Sequence, residues 1–115
     1  MSNVRVQRTN SDILRVVTTT IQQKLANEAL LNVSVLSVET SADFAHAKIF
    51  VQVLGSEAEK ANAMAELEKA SGFIRNEVAS RVKLRQTPNL RFMLDRGQEN
   101  VDRVEELLAQ INSKK

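Results

Sequence analysis

AELEKASGFIRNEVASRVKLR, residues 65–85, carries apolar side chains at helical spacing, namely Leu67, Ala70, Ile74, Val78 and Val82. Ser71 and Gly72 sit in its middle. Glycine inside a helix costs about 1 kcal/mol relative to alanine. A Ser/Gly pair is also one of the few causes of a sharp helix bend. The stretch therefore reads as two helices in series, one over about 57–70 and one over about 73–84, separated by a kink at Ala70, Ser71 and Gly72. In that reading Ser71 caps the second helix and leaves first-turn N–H groups for another acceptor. Such a helix start favours phosphate. The alternative is a helical hairpin in which Gly72 only lets two helices pack closely.

The flanking sequence supplies the remaining elements. A first helix over about 5–27 places Val6, Ile13, Val17, Ile21 and Leu25 near one face. VSVLSVET, about 33–40, is a valine-rich strand. Ser41-Ala42-Asp43 is turn chemistry. A second strand, about 45–53, alternates Ala45, Ala47, Ile49, Val51 and Val53 with His46, Lys48, Phe50 and Gln52. The two strands form a hairpin. Pro88 blocks further helix, and a third strand over about 89–95 alternates Leu90, Phe92 and Leu94 with Arg91 and Met93. An amphipathic helix over about 98–111 follows, with Val101, Val104, Leu108 and Ile111 on one face, then a short basic tail. This order predicts one two-layer α+β domain spanning residues 1–115, with its core over about 5–111.

Charge is unevenly placed. The net charge is only +2. Yet residues 75–96 hold Arg75, Arg81, Lys83, Arg85, Arg91 and Arg96 against Glu77 and Asp95, and the N-terminal segment adds Arg5, Arg8, Arg15 and Lys24 against Asp12. Acid gathers in 57–68 and 99–106. A chain polarised in this way suggests a basic face and a polyanionic partner, although mixed surfaces are common. Arg75, Ala79 and Lys83 share one helix face, and the positive charge continues through Arg85 and Arg91.

Taken together these residues resemble a known family. The order of elements is similar to the bacterial-type (type II) KH domain, a nucleic-acid-binding fold. In place of the usual Gly-x-x-Gly between the helices stands Ala70-Ser71-Gly72, similar to the Ala-x-Gly mark of the ribosome-binding factor A family. Also similar are Asp43-Phe44-x-x-Ala47, Phe73-Ile74-Arg75 and Leu84-Arg85-x-x-Pro88-x-Leu90-x-Phe92-x-x-Asp95. The resemblance implies a non-enzymatic cytoplasmic protein, a monomer without a cofactor. It would bind free 30S subunits or their precursors and promote 16S rRNA processing, especially in the cold. It implies contact near the 5′ region and decoding-side helices of 16S rRNA, and release assisted by a maturation GTPase. The RNA-binding candidates are Arg5, Arg8, Ser71, Gly72, Arg75, Arg81, Lys83, Arg85 and Arg91. Loss of Gly-x-x-Gly favours contact with folded rRNA by shape and charge.

Other chemistries find little support. No cysteine is present, so disulfides and thiolate metal sites are excluded. No apolar run approaches the roughly 20 residues of a membrane span, and the N-terminus does not read as a secretory signal. His46 is the sole histidine and has no positioned partner in sequence. Asp102, Glu105 and Glu106 read as a solvated helix face, and no metal site is expected. No phosphate-loop or dinucleotide motif occurs. With four Phe and no Tyr or Trp, an aromatic base-stacking platform is not expected, and Phe73 and Phe92 are assigned to the core. Two other classes stand beside the RNA-binding reading. One is a ribosome-associated adaptor that binds protein without direct RNA recognition, and the other is a small oligomeric enzyme.

Overall fold

The computed structural model describes residues 4–95. Helix α1, Val4–Thr19, ends in one π-helical turn, Thr20–Lys24. There the Leu25 N–H reaches back to the Thr20 carbonyl at 3.0 Å, and the Thr20 hydroxyl donates to the Val16 carbonyl at 2.7 Å. The helix so ends three residues before the expected boundary. A short 3-10 turn, Glu28–Leu30, capped by the Asn27 side chain, leads into the sheet. Strands β1 (Val33–Thr40) and β2 (His46–Val53) pair antiparallel, helix α2 (Glu57–Arg81) crosses over, and β3 (Asn89–Leu94) adds parallel to β2. The strand order is β1-β2-β3, with β2 central. The two-layer α+β class is the expected one. The helix expected over 98–111, with Arg96, lies outside the described residues.

Each strand follows from its pattern. Ala47, Ile49, Val51 and Val53 of β2 are buried beneath the helices, while His46, Lys48 and Gln52 point to the open face. In β1 the inward set changes phase, from Val33 and Val35 to Val38 and Thr40. A bulge between Val35 and Ser37 causes this, leaving Leu36 without a register partner and exposed. One extra residue shifts a period-2 pattern to the other face, so Val33 and Val35 before it and Val38 and Thr40 after it can all face the core.

Helix α2 departs from the expected pair of helices. It runs unbroken for 25 residues through Ser71 and Gly72. Its start is a capping box, in which Ser56 Oγ accepts from the Glu59 N–H and Glu59 Oε1 accepts from the Ser56 N–H, both at 3.1 Å. Ala63, Leu67, Ile74 and Val78 are buried in one stripe that keeps helical register across Gly72. Burial of a side chain such as Leu67 or Ile74 is worth about 1.5–3 kcal/mol each. That outweighs the roughly 1 kcal/mol by which one glycine disfavours helix. Ser71 does not cap a new helix: its hydroxyl donates to the Glu68 carbonyl at 2.7 Å, one turn back. Gly72 has no positive φ and sits on the outward face, where an added Cβ would meet nothing within 4 Å. Phe73, beside it, is 47% exposed and so is not a core residue as expected. Phe92 does pack against the core.

Candidate nucleic-acid interface

Three connections meet at one end of the sheet. The first is the β1–β2 turn. Its geometry is set by Asp43, whose Oδ1 accepts from the Ser41 hydroxyl at 2.6 Å and from the Ala45 N–H at 3.0 Å. The Ser41 hydroxyl in turn accepts from the His46 N–H at 3.0 Å. These bonds, the Ser41 hydrogen bond first, hold the Asp43 carboxyl below its ordinary value, so it stays ionised. Phe44 takes up the turn with φ 60, the left-handed region that bulky residues rarely enter.

The second connection is residues 82–88, between α2 and β3. It begins where Val82 ends the helix and closes at the buried Pro88. The Asn89 N–H donates to the Ala45 carbonyl at 2.9 Å, which ties the loop's end to the hairpin. The third is the first turn of α1, with Arg5. Between them lies a cleft of about 440 Å³ lined by Arg5, Asp43, Phe44, Lys83, Leu84, Arg85 and Gln86. Three cations and one carboxylate give it a net positive charge. Residues as far apart in sequence as Arg5 and Gln86 thus converge on one cationic concavity, which concentrates field better than a flat surface does.

The remaining candidates fall elsewhere. Arg8 is exposed on α1 but does not line the cleft. Arg81 is exposed at the last turn of α2, where it helps depress the Glu77 carboxyl. The main cause of that shift is the hydrogen bond from Lys24, which also forms an ion pair with Glu77. Arg75 faces inward and holds the Thr87 and Pro88 carbonyls. Ser71 and Arg91 line a second groove between α2 and β3, with Met64, Leu90 and Phe92. The amides of Ser71 and Gly72 belong to the helix interior, so the phosphate-binding helix start expected there is not formed. The cleft also takes in Asp43 and Gln86, which the sequence alone does not single out for binding. Asp43-Phe44 was visible in the sequence as a turn, but nothing in it placed that turn against Lys83 and Arg85.

Among the described residues no group of three or more His, Asp or Glu could hold a metal ion, and no helix is long and apolar enough to cross a membrane. A three-stranded sheet with helices on one face and a cleft lined by three cations at its end defines the class of protein: a small two-layer α+β domain with a basic cleft.

Comparison with known proteins identifies the family. The ribosome-binding factor A family model matches residues 5–108. A ribosome-binding factor A of Natranaerobius thermophilus is 35% identical over 112 residues, covering 97% of this chain and 86% of the relative. The crystal structure of ribosome-binding factor A from Thermus thermophilus superposes with a TM-score of 0.70, at 24% identity, covering 77% of this chain and 94% of that one; it shows the shared fold. A homology model of the T. thermophilus factor, fitted into the cryo-EM map of a 30S–RbfA complex, gives a TM-score of 0.64 at 25% identity, covering 76% and 91% of the two chains. The chain belongs to the ribosome-binding factor A family.

Proposed function

We propose that this chain, as a single cytoplasmic domain, binds the free 30S subunit or its precursors and promotes maturation of 16S rRNA without catalysing a reaction. The observation that carries the reading is the convergence of Arg5, Lys83 and Arg85 on one cleft. Such a cleft suits the phosphates of folded rRNA, where charge and shape rather than base identity supply most of the affinity. Family membership supports it, as does the T. thermophilus relative placed in a 30S–RbfA complex. The same reading extends to the 5′ region and decoding-side helices of 16S rRNA, to release assisted by a maturation GTPase, to action as a monomer, and to a stronger requirement in the cold.

Sedimentation of the tagged protein through a sucrose gradient of cell lysate tests it. Co-migration with free 30S, lost after nuclease treatment or at high salt, is the expected result. Migration with 70S and polysomes would overturn the free-subunit reading. Retention on nuclease-treated material at high salt would point instead to a protein-binding adaptor. In a clean deletion strain grown cold, unprocessed 16S precursor should accumulate, and normal 16S ends would remove the maturation role.

A further inference from the structure

The cleft is more specific than phosphate binding requires. Duplex phosphates are met by a row of exposed cations, and need neither a concavity nor an aromatic ring. Here Lys83 and Arg85 stand on the same concavity as Phe44, in a chain that has only four aromatic residues. The cleft's volume of about 440 Å³ falls in the range of about 300–1,000 Å³ typical of small-ligand sites. The hydrogen bonds from the Ser41 hydroxyl and the Ala45 N–H both use Oδ1 of Asp43. Its Oδ2 accepts from neither of these donors, and an ionised carboxylate can only accept. Gln86 adds an amide that can both donate and accept. Phe44 is held in the turn at φ 60, a position glycine or asparagine would occupy with less strain. Strain of this kind gathers at binding sites, which points to a use of the ring itself.

We propose that this cleft takes a single unpaired nucleotide of the folded RNA, with its base against the Phe44 ring, its phosphate against Lys83 and Arg85, and an exocyclic amino group donating to Asp43 Oδ2. The inference rests on the RNA-binding reading above and names the element of RNA that this site recognises. Unpaired nucleotides in bulges and loops are the parts of folded RNA that side chains can stack upon and read. The carboxylate favours adenine, cytosine or guanine, each with an amino group. It disfavours uracil, whose single ring N–H lies between two carbonyl oxygens.

The test uses the full chain and three RNA hairpins that differ at one position: fully paired, with one bulged adenosine, and with one bulged uridine. Affinity is read by fluorescence anisotropy at one fixed salt concentration. The bulged-adenosine hairpin should bind about tenfold tighter than the paired one, the scale of one stacked base, with bulged uridine between them. Phe44→Leu should bring the ratio of bulged-adenosine to paired-hairpin affinity down to about one. Phe44→Asn, which tolerates the left-handed backbone, should do the same and guards against a folding defect in the leucine variant. Asp43→Asn should narrow the difference between adenosine and uridine. Equal affinity for bulged and paired hairpins, or a preference that survives both Phe44 variants, overturns the nucleotide site alone. Failure to bind any hairpin by protein that still co-sediments with 30S also overturns it and leaves subunit binding standing. Failure to bind either hairpin or 30S removes the RNA-binding reading and this inference with it.

Discussion

Arg75 locks the loop that follows its own helix: its Nη2 donates to the Thr87 carbonyl at 2.7 Å and its Nε to the Pro88 carbonyl at 3.2 Å. The same loop carries Lys83 and Arg85 into the cleft. Arg75 therefore positions the cationic loop from behind. Hydrogen bonds from a charged donor are worth about 1.5–3 kcal/mol when buried, and less here because the pair is partly exposed. Arg75→Ala should destabilise the domain by about 1 kcal/mol in urea denaturation. Arg75→Lys should not restore it, because one ammonium cannot reproduce the guanidinium fork. Wild-type stability in Arg75→Ala would show that the contact is incidental.

Gly72→Ala should stabilise the fold, by up to about 1 kcal/mol. The residue lies within α2 without positive φ, and the added methyl would meet nothing within 4 Å. A higher denaturation midpoint at unchanged m-value is the expected result. A less stable variant would show that the chain bends at Gly72 after all.

Reversal of Lys83 and Arg85 to glutamate should weaken 30S binding while the domain stays folded, since both side chains are exposed. Each lost phosphate contact should reduce the slope of log K against log salt by about 0.9, taking the value for duplex DNA. Arg8→Glu, away from the cleft, should change affinity less. Equal losses from the two substitutions would spread the interface over the whole basic surface.

Acid should weaken the tie between the end of α1 and helix α2. The hydrogen bond from Lys24 holds the Glu77 carboxyl below its ordinary value of 4.5. A depressed folded-state value adds stability that is fully present above the unfolded value and is lost as pH falls through the folded one. The stability difference between wild type and Glu77→Gln should therefore be constant above about pH 4.5 and vanish at lower pH. A difference that persists at low pH would assign it to packing and not to the charge.

How much of this was legible in the sequence differs from element to element. The strands stood out because β-branched residues and a period of two report which face is buried. Val33–Thr40 falls where the valine run predicts it. Pro88 marks a boundary by local chemistry alone, since its ring fixes φ and removes the N–H that a helix would need; the Ser56–Glu59 capping box is local in the same way but is recognised only in the structure. At Gly72 local chemistry misleads. A glycine's preference is worth about 1 kcal/mol, and the sheet and α1 that bury Leu67, Ile74 and Val78 on both sides of it are worth more. The same holds for Phe73, whose apolar character suggests the core while its angular position on an unbroken helix turns it outward.

The sequence by itself determined the α+β order, the family resemblance and the cationic character of residues 75–96. Which of those cations can meet a partner was decided by the tertiary structure. Parallel addition of β3 beside β2 brings the 82–88 loop against the Asp43-Phe44 turn, and the first turn of α1 adds Arg5. The same packing turns Arg75 inward onto two carbonyls. Charge is a property of a residue, and so can be counted along the chain. A cleft is a property of three segments held at one end of a sheet, and exists only once their hydrogen bonds and buried side chains have brought them together.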